Sequence, residues 1–145
     1  MIGTFEKAGM PRVGRPYLGR RALVIESDPD TRTLCVDRLE RLGFEVAEVE
    51  SGVEAVRAAR RETPDLILLE LELRDVPGPE LVRWLRSNPA LARVPIVAMD
   101  SSLPRRALPN ALGSGVSAVL RKPLSGLRVD DAVARALPAA KPGMA

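Results

Sequence analysis

Residues 63–72, Thr-Pro-Asp-Leu-Ile-Leu-Leu-Glu-Leu-Glu, read as a turn that feeds four consecutive apolar residues and then returns to charge. Pro64 cannot sit inside a helix. Leu66 to Leu69 is apolar without alternation and too short for a helix of its own, the pattern of a strand buried on both faces. Such a strand belongs to a parallel sheet with helices above and below it. The rest of the chain should then alternate between short apolar runs and helical periodicity.

It does, on both sides. Upstream, Ala22 to Ile25 predicts the first strand, and Asp28-Pro29 opens a helix with a capping carboxylate and a proline suited to the first turn. Cys35, Leu39 and Leu42 follow at i, i+4 and i+7, and Gly43 stops the helix. Phe44 to Val49 predicts a second strand. Ser51 and Glu54 have the capping-box spacing ahead of Ala55, Val56 and Ala59. Downstream, Gly78-Pro79 opens a helix carrying Leu81, Val82 and Leu85, with Trp84 expected as half-buried packing beside them. Val94 to Met99 and Ser117 to Arg121 predict two more strands, and Val129, Val133 and Leu137 mark the last helix. A further helix over about Arg105 to Leu112 has Pro109 in its middle, at a cost of about 3 kcal/mol, so that fourth predicted helix is expected to be short or broken. The fold class is α/β: a doubly wound five-stranded parallel sheet with helices on both faces.

The 145 residues suit one domain. The reading places a flexible basic arm at 1–20, the domain at 21–138 and a disordered tail at 139–145. No apolar run approaches the roughly 20 residues of a membrane span, and the N-terminus lacks the apolar core of a secretory signal, so a cytoplasmic protein with no membrane partner is expected. The chain has no histidine, which excludes Ser-His-Asp hydrolysis and most zinc sites. Its single cysteine, Cys35, lies on an apolar helical stripe and reads as core. The net charge of +3 sits in the tails: residues 22–137 hold 16 Lys and Arg against 18 Asp and Glu. With 3% aromatic residues there is little to stack on bases, so nucleic-acid binding is not expected, and a DNA-associated regulator using the basic arm is the weaker alternative.

In an open parallel sheet, chemistry belongs in the loops that follow the strands. Those loops carry Glu26-Ser27-Asp28, Glu70 to Glu72, Asp100-Ser101 and Lys122-Pro123. Carboxylates with one lysine are the groups that hold Mg²⁺ and receive a phosphoryl group. Loops of a highly charged protein contain Asp and Glu in any case, so spacing alone leaves both readings open.

Four blocks carry a resemblance: VIESDPDTR (24–32), PDLILLELEL (64–73) with Gly78 after it, PIVAMDSS (95–102) and GVSAVLRKP (115–123). In order and spacing they resemble response-regulator receiver domains of two-component phosphorelays, and the likeness covers roughly Arg21 to Leu137. The resemblance implies a flavodoxin-like receiver fold. It also implies an acidic pair after strand one and an aspartate after strand three that hold Mg²⁺, that aspartate taking phosphate from a histidine kinase. A Thr or Ser after strand four and the Lys of Lys-Pro would grip the phosphoryl group, and an aromatic residue on strand five would report the change.

The chain departs at most of these positions. Glu70 stands at the phosphoacceptor position, Glu26 and Ser27 at the acidic pair, Asp100 (or Ser101, with a shift of one) at the Thr/Ser position, and Val119 at the aromatic one. Lys122-Pro123 is intact. Glu reaches one methylene farther than Asp, and a misplacement of about an ångström can cost about 10²-fold in rate. Ser27 removes a charged metal ligand, and Asp100 sets a negative charge where phosphoryl oxygens need a donor. No catalytic residue and no cofactor are therefore expected. Mg²⁺ should bind weakly at best, with Glu26, Glu70 and Glu72 as its candidate ligands. Glu70 and Asp100 are the expected partners of Lys122.

The function implied is a stand-alone pseudo-receiver that acts by docking on signalling proteins without phosphorylation. Its expected partner face holds Arg105, Arg106, Val119, Arg121 and Arg128, suited to an acidic partner, and a homodimer is compatible with the sequence. A phosphotransfer-competent receiver using Ser101 or Asp100 is the other alternative.

Overall fold

A computed structural model of the chain describes residues 14–101 and 115–139. Five strands, β1 (Arg21–Ile25), β2 (Glu45–Val49), β3 (Leu66–Glu70), β4 (Ile96–Asp100) and β5 (Ala118–Arg121), pair in the order β2-β1-β3-β4-β5, all parallel. The helices are α1 (Pro29–Arg41), α2 (Gly52–Arg61), α3 (Gly78–Ser87) and α4 (Gly126–Ala136). A single turn of tighter helix, Pro89–Leu91, leads into β4.

The central strand explains the two layers. Leu66 and Leu68 of β3 face a core shared with Cys35 and Leu39 of α1 and Val129 and Val133 of α4. Ile67 and Leu69 face the other way, onto Ala55 and Ala59 of α2 and Leu81, Val82 and Leu85 of α3. All five residues of β3 and of β4 are buried, as an unalternating apolar run requires. The doubly wound parallel sheet expected from the sequence is present. No helix among the described residues is long and apolar enough to cross a membrane.

Local signals act where they were read. The Asp28 carboxylate accepts from the Thr31 N–H and hydroxyl at 2.8 and 2.7 Å, capping α1. Ser51 Oγ accepts from Glu54 N–H at 3.2 Å, while the Glu54 carboxylate reaches back to the Glu50 N–H at 2.9 Å. Gly43 has φ +109, and a Cβ there would meet Leu18 N at 2.6 Å, so the turn out of α1 needs glycine twice over.

That close approach corrects one boundary. The sequence carried a flexible arm through residue 20, yet Tyr17 is 3% exposed. Its ring stacks on Phe44 with centroids 4.7 Å apart, and its hydroxyl donates to Leu137 O at 2.6 Å. Arg15 is also buried, with Nη2 3.4 Å from Glu40 O. The packed segment therefore begins before Arg21, because an aromatic ring needs cover and finds it at the amino end of the sheet. The expected broken helix over Arg105 to Leu112 lies outside the described residues.

Candidate functional site

β1, β3 and β5 end together. Ile25 pairs with Leu69, so the next residues along, Glu26 and Glu70, emerge side by side. Lys122 follows β5 directly, and its backbone N–H donates to Asp100 O at 2.9 Å, which ties its loop to the end of β4. The Lys122–Pro123 peptide is cis.

The side chains close on one another. Lys122 Nζ donates to Glu70 Oε1 at 3.0 Å and lies 2.7 Å from Glu26 Oε1, a charge contact without the alignment of a hydrogen bond. Ser27 gives Glu70 Oε2 both its backbone N–H, at 2.9 Å, and its hydroxyl, at 2.6 Å. Glu26 Oε2 accepts from the Asp28 N–H at 3.0 Å. Two carboxylates thus share one ammonium, and the serine acts as a donor at the position where the resemblance implied a metal ligand.

Burial sets the protonation of this cluster. Glu26 is 0% exposed, and burial, together with the neighbouring carboxyl of Glu70, pushes its own carboxyl above the usual range despite Lys122. For Glu70, burial acts in the same direction, but the neighbouring Glu26 carboxyl and the hydrogen bonds from Ser27 and Lys122 outweigh it and hold the group below that range. Burial opposes the charge on Lys122, yet Glu26 and Glu70 keep its ammonium above its ordinary value. One proton between the two carboxyls leaves the cluster neutral. Deprotonating Glu26 leaves it with one net negative charge away from water.

Arg32 holds the loop in place. Its Nη1 donates to Glu26 O at 2.9 Å, with Ser27 O at 3.4 Å, and the same guanidinium meets Glu48 and Glu50, each at 3.2 Å. This role for Arg32 was not among the expectations from the sequence. The signal was its position one turn into the helix that follows the acidic loop.

The remaining expected residues are placed as follows. Asp100 is buried at the end of β4, but the lysine pairs with Glu26 and Glu70, which corrects the expected Glu70 and Asp100. The reason is register: β1 adjoins β3 and delivers Glu26 directly beside Glu70. Ser101 is exposed and its hydroxyl donates to Glu72 Oε1 at 3.0 Å. Of the expected partner face, Val119 is half-buried against the α2–α3 core, Arg121 is half-buried on β5, and Arg128 is exposed on α4. Arg105 and Arg106 lie outside the described residues.

The donor set fits Mg²⁺ poorly. The ion takes carboxylate oxygens at short range in an octahedral shell. Here the oxygens of Glu26 and Glu70 already face Lys122, Ser27 and the Asp28 N–H, and the Asp28 carboxylate is turned onto Thr31. A cation would have to displace the ammonium and the hydroxyl together.

Comparison with known proteins agrees with the fold. A family model described as response regulator receiver domain matches residues 22–134. The polar-differentiation response regulator DivK of Brucella ovis is 29% identical over 106 residues, covering 73% of this chain and 86% of DivK. The receiver domain of the sensor histidine kinase PA1611 from Pseudomonas aeruginosa is 30% identical with a TM-score of 0.72, covering 81% of this chain and 97% of that one; its structure has a magnesium ion coordinated in the active site cleft. The chemotaxis response regulator CheY4 of Vibrio cholerae superposes with a TM-score of 0.76 at 20% identity, over 81% of this chain and 98% of that one. With the family model matching residues 22–134 and a five-stranded parallel sheet in the order β2-β1-β3-β4-β5, this chain belongs to the response regulator receiver domain family.

Proposed function

We propose that this receiver domain signals by docking on other proteins, with its pocket held in one state by an internal ion pair instead of being switched by phosphate. The observation that carries this reading is the occupancy of Glu70. Its carboxylate accepts from Ser27 N–H, Ser27 Oγ and Lys122 Nζ at 2.9, 2.6 and 3.0 Å, so the groups that would receive a phosphoryl group are already engaged. An incoming phosphoryl group would also meet the buried carboxyl of Glu26.

PA1611's receiver holds magnesium in its cleft. In this chain Ser27 supplies a hydroxyl where a carboxylate would serve the metal, and we read Mg²⁺ affinity as weak for that reason. The proposed setting is cytoplasmic, among proteins of two-component signalling. The rival acceptor Ser101 gains no support from its surroundings, since its hydroxyl points to the carboxylate of Glu72, which would repel a phosphate.

Backbone amide spectra of the ¹⁵N-labelled chain test the proposal. Spectra recorded before and after adding acetyl phosphate with Mg²⁺ should superimpose. Shifts that cluster at Ser27, Glu70 and Lys122 and reach the β5–α4 surface would overturn it.

A further inference from the structure

The two helical layers treat their arginines differently. On α1 and α4, four of the five arginines meet carboxylates: Arg32 with Glu48 and Glu50, Arg38 with Asp130, Arg41 with Asp37 and Arg135 with Asp131. On α2, the three arginines Arg57, Arg60 and Arg61 are all exposed, and none has a carboxylate partner among the described residues. The nearby carboxylates are engaged elsewhere: Glu54 accepts from the Glu50 N–H, and Glu62 pairs with Arg21.

Spacing gathers part of this set into one row. Val53, Arg57 and Arg60 stand at i, i+4 and i+7, which is one stripe of a helix. Val53 is 50% exposed, one of only two exposed large hydrophobic residues among those described. The Arg60 guanidinium lies 5.4 Å from the centroid of the Trp84 ring on α3, which orients it across the gap between the two helices. The row therefore presents an apolar end, an exposed cation, and a second cation held on an aromatic ring.

We propose that the α2–α3 face formed by Val53, Arg57, Arg60 and Trp84 is a docking surface for an acidic polypeptide segment that carries an apolar side chain. Arginine forks match carboxylates in a two-point geometry, and Val53 offers the apolar contact that gives such a segment its register. A phosphate backbone suits this face less well. Trp84 is half-buried with Arg60 over its ring, so it is not an open platform on which a base could stack. The surface is separate from the strand-end pocket, and its use is independent of whether Glu70 is modified.

Trp84 is the chain's only tryptophan, so its emission reports directly on this face. The full chain is titrated with a synthetic helical peptide bearing a row of glutamates around one leucine, and separately with a random-sequence DNA duplex. The expected result is saturable binding of the peptide, weakened at least about tenfold by Arg57→Glu with Arg60→Glu. Arg41→Glu, on the opposite layer, should leave the midpoint unchanged. Arg57→Glu alone keeps the Arg60–Trp84 contact and should weaken binding by a smaller factor, which separates lost charge from a changed fluorophore. An unsaturable peptide titration, a midpoint indifferent to both charge reversals, or a duplex that binds more tightly than the peptide through these same residues would each overturn the proposal.

Discussion

Among the described residues Lys122 is the one cation paired with both Glu26 and Glu70, and its removal should be felt as unpaired buried charge. Lys122→Met is expected to lower stability by about 3 kcal/mol at neutral pH, because breaking a buried pair strands the partner in a medium that cannot solvate it. Lower pH should restore part of the loss as the stranded carboxyls take up protons, and Glu26→Gln in the same background should restore part of it at neutral pH. Urea titrations at about pH 7 and about pH 5 give both answers, and a mutant as stable as wild type at both would mean an idle lysine. Glu26 alone makes a second prediction. Its raised pKa means the folded state holds a proton that the unfolded chain releases near the ordinary value of 4.5. Its contribution to stability therefore falls as pH rises from that value through the raised pKa, whereas the contribution of Glu70 is present above the ordinary value and falls as pH drops through its depressed one. Glu26→Gln should flatten the first slope and leave the acid limb of Glu70 in place; an unchanged neutral-side slope in urea midpoints would contradict it. The sequence made Glu70, Ser27 and Lys122 legible as neighbours, since each follows a strand of one parallel sheet. The choice of Glu26 over Asp100 as the second partner was not legible, because it depends on which strands are adjacent and in what register, and no single segment encodes that.

At the level of elements, Arg86 is a staple. Its guanidinium donates to Gly115 O at 2.9 and 2.6 Å, Leu91 O at 3.0 Å, Ala92 O at 3.3 Å and Val94 O at 2.7 Å, gathering the loops before β4 and β5 onto α3. Burial lowers the pKa of this guanidinium, yet a planar fork can serve several carbonyls where one ammonium cannot. Arg86→Lys should cost about 2 kcal/mol in urea unfolding and speed amide exchange at Ser117, whose N–H bonds to Ile96 O. Wild-type stability with unchanged exchange would show that the carbonyls are satisfied without it. The helix starts at Asp28 and Ser51 were legible because capping is local chemistry. Tyr17 was not, since its Phe44 and Leu137 contacts lie 27 and 120 residues away and nothing in the Gly- and Arg-rich segment around it marks a packed element. Tyr17→Phe should remove the hydroxyl's bond to Leu137 and cost about 1 kcal/mol, read as a shift in urea midpoint.

For the molecule as a whole, the parallel order β2-β1-β3-β4-β5 sends the ends of β1, β3, β4 and β5 to one side, and the sequence has filled that side with its own salt bridge. If the serine is what weakens the metal, Ser27→Asp should gain saturable stabilisation by Mg²⁺, while wild type gains less than about 0.5 kcal/mol at millimolar ion in melting curves. Equal responses would shift the cause away from Ser27. The fold class was readable because alternating strand and helix patterns admit few parallel topologies. The proposed use of the pocket rests on departures from the residues that the family resemblance implies, and geometry was needed to show what Glu70 and Ser27 bond to. Intact-mass spectrometry after incubation with acetyl phosphate and Mg²⁺ tests the central claim most directly. The account predicts an unchanged mass for the wild-type chain, and a stoichiometric gain of one phosphoryl group would contradict it.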